Sequence, residues 1–195
     1  MKHGYLGGSF DPIHHGHLIA ARDALEQLGL ESVVFLPAAN APLKARAPQA
    51  SAADRLAMIQ LAIADSPGLR VSDMEIRRGG TSYTHETVAA LHERHPEAEP
   101  VWIIGEDHLA TLPDWRRAEE LVNQAAFACL RRPGSRPAVP TDRLPGLRLR
   151  LIDAHQVQIS STEIRARLRE NRCCRYFLPD SVLNFINERK LYQTA

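Results

Sequence analysis

Hydrophobic positions along the chain alternate between short continuous runs and stretches with helical spacing. The continuous runs, which predict buried strands, lie at 5–6, 33–36, 69–72, 101–104 and 126–130. The stretches with helical spacing lie at 17–28, 51–63, 84–95 and 115–124. Apolar strands separated by amphipathic helices are typical of a parallel sheet covered on both faces. We therefore expect an α/β fold with a doubly wound, Rossmann-like parallel sheet and helices on both faces.

The last third of the chain has a different pattern. A loop rich in proline and glycine covers 131–145, and alternation with period two at 147–151 predicts a half-exposed strand. Short helices are predicted at 161–169 and 179–188. We expect a single domain over 1–195, with a core at about 1–152 and a short helical C-terminal subdomain at about 160–195.

Composition narrows the class of protein. Of 195 residues, 44% are hydrophobic and 24% charged, which excludes disordered, collagen-like and coiled-coil chains. No apolar run approaches the ~20 residues that cross a bilayer, so no membrane partner is expected. Three cysteines without a Cys-x-x-Cys spacing support neither a disulfide framework nor a zinc site. These features favour a cytoplasmic protein with reduced thiols.

Charge is segregated along the chain although the formal net charge is +1. Residues 1–129 hold 11 Lys and Arg against 17 Asp and Glu, whereas residues 130–175 hold 11 against 4. A basic segment suits a polyanionic ligand, although a solvated arginine-rich face is the alternative. Because aromatic interleaving and RNA-binding motifs are absent, we favour a small phosphate ligand over nucleic acid.

The segment at 7–17 carries the most chemical information. Gly7 and Gly8 follow the first strand, where backbone N–H groups can approach a phosphate at the start of a helix. The pattern is neither G-x-G-x-x-G nor a P-loop. His14 and His17, with Gly16 between them, can donate hydrogen bonds to a phosphoryl group. A simple capping turn and a metal site at His15 and His17 are the alternatives, and no third ligand has a suitable spacing, so we predict no protein-bound metal.

A second candidate phosphate site lies at 159–165. Ser160 and Glu163 form a capping-box pattern, which by itself would only begin a helix. The exposed N–H groups and hydroxyls of such a helix start, with Arg165 one turn further on, also make an anion site. The basic surroundings favour the anion site.

The motif Gly8-Ser9-Phe10-Asp11-Pro12-Ile13-His14-His15-Gly16-His17 resembles the (T/H)xGH nucleotidyltransferases, and most closely the bacterial nicotinate-mononucleotide adenylyltransferases. Segments in that family's order continue at 42–44, 55–58, 81–84, 105–107, 112–115, 132–134 and 159–165. One departure is Glu106, where the family's Gly-x-Asp pattern usually has a small residue.

The resemblance implies a role for each matching segment. The 159–165 segment would hold the ATP phosphates, Asp107 the ribose hydroxyls, and 81–84 with Trp115 the nicotinate ring. The catalytic residues expected on this basis are His14, His17, Lys44 and Arg165. The residues expected to bind ATP are Gly7, Gly8, Ser9, Phe10, His14, His17, Gly105, Asp107, Ile159, Ser160, Ser161, Thr162 and Arg165. Those expected to bind nicotinate mononucleotide are Lys44, Thr81, Ser82, Tyr83, Thr84, Trp115 and Arg132.

The activity implied by the resemblance is transfer of the adenylyl group of ATP to nicotinate mononucleotide, giving deamido-NAD and pyrophosphate, with Mg²⁺ bridging phosphate oxygens. The same reaction on nicotinamide mononucleotide or phosphopantetheine is the alternative among enzymes. A nucleotide-binding regulatory module without turnover is the alternative outside enzymes. No nucleic acid is expected as a partner, and a homodimer is left open.

Overall fold

In the part of the chain that the structure describes, six parallel strands form one sheet in the order β3-β2-β1-β4-β5-β6. The computed structural model describes residues 2–42, 47–132 and 134–193. The strands are β1 (His3–Gly8), β2 (Ser32–Pro37), β3 (Leu69–Val71), β4 (Val101–Gly105), β5 (Ala126–Arg131) and β6 (Leu149–Asp153). The helices are α1 (His15–Leu28), α2 (Ala52–Ile63), α3 (Met74–Arg78), α4 (Thr84–Arg94), α5 (Glu106–Thr111), α6 (Ala118–Gln124), α7 (Ser161–Arg169) and α8 (Asp180–Glu188), and Leu112–Asp114 forms a 3₁₀ turn.

The strand order places a topological switch between β1 and β4. The chain moves from β1 outward to β2 and β3, then returns to β4 on the other side of β1. Connections that leave in opposite directions open a crevice at the carboxyl ends of these two strands, where ligands of doubly wound sheets bind. The glycines at the end of β1 therefore face the crevice that the fold provides.

Alternating side chains of the strands supply two hydrophobic cores, one on each face of the sheet. In β4, Ile103 packs with α1, α2, α7 and α8, whereas Trp102 and Ile104 pack with α4, α5 and α6. In β5, Ala128 and Phe127 divide in the same way. The expectation of a parallel sheet with helices on both faces is confirmed.

The C-terminal helices belong to the first of these two cores. Ile164 and Leu168 of α7 pack there, as do Val182 and Ile186 of α8. Segment 160–193 therefore lies against the same face of the sheet as α1, which begins in the histidine motif.

Several elements differ from their predicted positions. The helix predicted at 115–124 begins only at Ala118, because Trp115 is extended after the 3₁₀ turn and Arg117 adopts a left-handed conformation with φ 55°. The strand predicted at 147–151 lies at Leu149–Asp153, where only Ile152 is buried. The short helices α3 and α5 have too few turns for a periodic pattern and were not predicted. None of the described helices is long and apolar enough to cross a membrane.

Candidate active site

A cleft of about 710 Å³ lies at the carboxyl ends of β1 and β4. Ten of the predicted site residues line it, in four groups that are distant in the sequence. They are Gly7, Gly8, Ser9, Phe10, His17, Ser82, Tyr83, Thr84, Trp115 and Ser161. The cleft is large enough for a ligand of small-molecule size.

The loop after β1 is shaped by a close contact between Gly8 and Phe10. A Cβ atom on Gly8 would lie 3.0–3.3 Å from three ring carbons of Phe10, so a side chain there would require the Phe10 ring to shift by a few tenths of an ångström. Phe10 itself has φ 48°, a left-handed conformation that non-glycine residues seldom adopt. Its buried ring meets the His17 imidazole edge-on, with 5.0 Å between ring centroids. This backbone conformation therefore places a rigid aromatic support against His17.

The imidazoles of His14 and His17 stack on each other at the start of α1, with 3.7 Å between ring centroids. The backbone N–H of His14 donates to Nδ1 of His17 at 3.3 Å. An accepting Nδ1 leaves the proton of a neutral imidazole on Nε2. His17, which lines the cleft, is thereby held as an Nε2–H donor.

His14 is buried at 6% exposure behind His17. Burial, with a smaller effect of the neighbouring His15 charge, lowers the pKa of His14 to about 4. Its Nδ1 has no hydrogen-bond partner among the described residues. His14 is therefore neutral at physiological pH and retains unused hydrogen-bonding capacity.

The start of α7 contacts the histidine motif directly. The Ser161 hydroxyl donates to the main-chain oxygen of Pro12 at 2.9 Å, and Nη1 of Arg165 donates to that of Asp11 at 2.6 Å. Ser160 begins α7 by accepting the backbone N–H of Glu163. Two segments about 150 residues apart in sequence thus form one wall of the cleft.

The opposite end of the cleft is formed by the start of α4 and by Trp115. Ser82 is fixed there because its hydroxyl accepts the backbone N–H of Ala39 at 3.0 Å and its own N–H donates to the main-chain oxygen of Asn40. Tyr83 and Thr84 follow at the first turn of α4. The Nε1–H of Trp115 is buried and has no partner among the described residues.

Five polar residues at this end were not predicted from the sequence: Glu75, His85, His108, Asp114 and Arg116. Burial raises the pKa of Glu75, whose carboxylate accepts the Thr87 hydroxyl at 2.6 Å. Arg116 lies over the ring of Tyr83, 4.7 Å from its centroid. Short helices without periodicity position Glu75 and His108, so the sequence carried no local signal for them.

The remaining predicted residues that the structure describes do not line the cleft. Thr81 pairs with Asn40 in an isolated bridge, and Gly105 ends β4 and caps α5. Asp107 is 88% exposed, with an oxygen 3.9 Å from Nη2 of Arg132. Ile159, Ser160, Thr162 and Arg165 surround the start of α7, and Lys44 lies outside the described residues. The roles predicted for all these residues stay predictions.

Glu106, the departure from the family pattern, is turned toward the end of β5. Its carboxylate accepts the backbone N–H of Arg132 at 2.6 Å. The extra charge thus ties the start of α5 to the loop after β5. Its side chain is absent from the cleft lining.

Comparison with known proteins shows to which family this chain belongs. The cytidylyltransferase-like family matches residues 5–167. The curated protein of Opitutus terrae named "Probable nicotinate-nucleotide adenylyltransferase" is 46% identical over 195 residues, covering 100% of both chains. The chain belongs to the nicotinate-nucleotide adenylyltransferase family.

Other members of the nicotinate-nucleotide adenylyltransferase family are similar over comparable lengths. A relative of the same name from Herpetosiphon aurantiacus is 45% identical, covering 97% of each chain. The Plasmodium falciparum nicotinic acid mononucleotide adenylyltransferase, solved in complex with NaAD, has the same fold with a TM-score of 0.79. That structure is 20% identical and covers 98% of this chain and 97% of its own.

Proposed function

We propose that this protein transfers the adenylyl group of ATP to nicotinate mononucleotide, forming deamido-NAD and pyrophosphate in NAD biosynthesis. One observation carries the proposal beyond family membership. The histidine turn after β1 and the start of α7 meet in one wall of a cleft whose far end is the start of α4. A triphosphate at the first end and a pyridine nucleotide at the second would place the two reactants side by side.

In the proposed reaction, a phosphate oxygen of nicotinate mononucleotide attacks the α-phosphorus of ATP. The new P–O bond forms as the bond from the α-phosphorus to the bridging oxygen breaks, and pyrophosphate leaves with that electron pair. The attacking phosphate is already an anion at neutral pH, so no general base is required. The protein's main tasks are positioning and stabilisation of the developing charge.

The donors for this charge come from both segments of the wall. His17 offers Nε2–H, and the first turn of α7 offers backbone N–H groups at the positive end of the helix dipole. We expect Arg165 to add charge near the pyrophosphate while it holds the main-chain oxygen of Asp11. We assign neutral His14 to a hydrogen bond with the reacting phosphates.

The first turn of α4 would bind the nicotinate end of the substrate. Free N–H groups at a helix start favour a carboxylate over an uncharged carboxamide. Trp115 offers a ring face for stacking as well as an Nε1–H without a partner among the described residues. We therefore expect preference for the acid over the amide.

We expect Mg²⁺ to arrive with ATP rather than to be held by the protein. The described residues contain no group of three or more His, Cys, Asp or Glu that could hold a metal ion. Mg²⁺ binds phosphate oxygens well while keeping several waters, and when bound it neutralises phosphate charge. We also propose a cytoplasmic location. A homodimer stays a prediction.

The deciding experiment is an acceptor panel. Pyrophosphate release is measured with ATP and Mg²⁺ and, in turn, nicotinate mononucleotide, nicotinamide mononucleotide and phosphopantetheine. We expect the highest kcat/KM for nicotinate mononucleotide, about tenfold or more above the amide, since one charge-assisted hydrogen bond contributes 1.5–3 kcal/mol, roughly, to recognition. Faster turnover of another acceptor, or ATP binding without product, would contradict the proposal.

A further inference from the structure

The carboxylate of Asp11 is buried at 5% exposure in the middle of the histidine motif. Its Oδ2 accepts the backbone N–H of Gln49 at 2.8 Å, and its Oδ1 accepts that of Ala50 at 3.0 Å. A third hydrogen bond comes from the hydroxyl of Tyr192, which donates to Oδ1 at 2.7 Å. A buried carboxylate requires such donors, because an unsatisfied charge is costly to bury.

Tyr192 reaches Asp11 from the turn that follows α8. Its backbone has φ 64°, a left-handed conformation that is rare for an aromatic residue, and its side chain is 8% exposed. The preceding turn is closed by a hydrogen bond from the backbone N–H of Leu191 to the main-chain oxygen of Ile186. Arg189 ties the same turn to α2, where its Nη2 donates to Asp54 at 3.0 Å. These two hydrogen bonds therefore fix the turn that carries Tyr192 and, with it, the position of the Tyr192 hydroxyl.

Asp11 is also next to the groups that hold the loop from Ser9 to Pro12 in place. Arg165 donates a hydrogen bond to the main-chain oxygen of Asp11 itself. The fully buried Arg55 donates to the main-chain oxygen of Ser9 at 2.8 Å. Phe10, between these two anchored oxygens, supports the His17 ring. A shift of the Asp11 side chain would therefore be transmitted to His17 through its immediate neighbours.

We propose that Tyr192 is a positioning residue for the loop from Ser9 to Pro12 and acts through the carboxylate of Asp11. The inference rests on the proposed function, because the loop is the part of the cleft assigned to ATP. The hydroxyl completes the hydrogen bonding of Oδ1, which fixes the side chain and, through it, the segment from Ser9 to Pro12. The nicotinate end of the cleft is built on α4 and the 3₁₀ turn and lies outside this set of contacts.

The test compares Tyr192→Phe with Tyr176→Phe, whose ring is 81% exposed. Steady-state kinetics are measured with ATP and nicotinate mononucleotide varied separately, at a temperature where circular dichroism shows both variants folded. We expect Tyr192→Phe to lower kcat about tenfold or more, since small misplacements of reacting groups have large effects on rate. The KM for nicotinate mononucleotide should stay within about twofold, and Tyr176→Phe should match the wild type.

A double-mutant cycle adds a readout that a purely structural role would not move. In an Asp11→Asn background, Tyr192→Phe should cause less than about a twofold further change in kcat, because its acceptor is already altered. Independent, multiplying losses would overturn the inference, as would unchanged kcat in folded Tyr192→Phe. A wild-type protein that makes no product would contradict the proposed function but would not test the role of Tyr192. The Kd for ATP, expected to rise about fivefold or more in Tyr192→Phe, would then decide this inference.

Discussion

His14 and His17 stack in one motif but differ in their surroundings. His17 lines the cleft with its Nδ1 engaged, whereas His14 is buried behind it with a strongly lowered pKa. In the proposed mechanism both rings hydrogen-bond the phosphates, but they do so differently at the residue scale. His17 presents its Nε2–H from the cleft lining, whereas His14, as a neutral group, also avoids repulsion between two stacked charges. Each ring has its own test.

Replacement of His17 by alanine should lower kcat about 100-fold to 1,000-fold, the usual effect of removing one preorganised donor to a developing charge. The melting temperature should change little, because the ring is only half-buried. Pyrophosphate release and thermal unfolding measure the two quantities. His92→Ala is the control, since that ring bonds the main-chain oxygen of Gln124 on another part of the surface. Equal turnover in His17→Ala and wild type would remove its catalytic role.

His14 should make the folded state less stable as the pH falls. The unfolded chain takes up a proton near the ordinary pKa of 6.5, whereas the folded state resists protonation down to about 4. Between these values the unfolded state binds more protons, so the free energy of unfolding decreases by at most about 3 kcal/mol. Urea unfolding across this pH range measures the decrease.

The matched variant for this test is His14→Gln, which should give a shallower pH profile. It should not be flat, because burial also lowers the pKa of His85 and acts in the same direction. A profile as steep as that of the wild type would show that His14 is not the group that resists protonation.

At the scale of elements, α1 combines a helix start with the placement of His14, the ring that we assign to the reacting phosphates. Gly16, its second residue, has no side chain, and a Cβ atom there would lie 3.1 Å from Cε1 and Nδ1 of His14. Helix stability and the position of His14 therefore make opposite demands on this residue.

Gly16→Ala should separate stability from activity. Alanine is the better helix former, so the free energy of unfolding should be unchanged or up to about 1 kcal/mol higher. The displaced His14 ring should nevertheless lower kcat about tenfold or more. Gly29→Ala is the counterpart, because Gly29 ends α1 with φ 61° and should lose about 1 kcal/mol of stability with unchanged kcat. Chemical denaturation and pyrophosphate release distinguish the two, and an active Gly16→Ala would refute the steric argument.

Local signals account for the elements that the sequence predicted well. The side chains of Ser51 and Ser160 cap α2 and α7 by accepting backbone N–H groups, as serine at a helix start commonly does. Gly29 ends α1 in a left-handed conformation, as glycine commonly does. A predicted helix boundary was wrong where the backbone conformation of a single residue decided it. Arg117 adopts the left-handed region without being glycine, which delays α6.

At the scale of the whole molecule, the candidate site joins segments from both ends of the chain. The family resemblance implied that the histidine turn and the start of α7 would both bind ATP, and the hydrogen bonds of Ser161 and Arg165 place these two segments together. The contact of Tyr192 with Asp11 had no such signal. It depends on the packing of α8 against α2, and that packing is a property of the folded chain rather than of any local pattern.

ATP should therefore stabilise the molecule as one unit. At about 100 times its Kd, a ligand that binds only the folded state adds about 2.7 kcal/mol. For a chain of this length the melting temperature should rise by roughly 5–10 °C. Differential scanning calorimetry should show a single transition, and Arg165→Ala should show less than half the rise. Two transitions, with ATP shifting only one, would contradict coupling of the two segments.

The way the histidine motif is held sets an order of events during synthesis. A ribosome that has just made residue 153 has produced all six described strands and the complete motif. The contacts from Ser161, Arg165 and Tyr192 to that motif do not yet exist. A chain released at that length would contain every described strand of the sheet but lack the outer wall of the loop proposed to bind ATP, so we expect ATP capture to wait until translation has passed position 192.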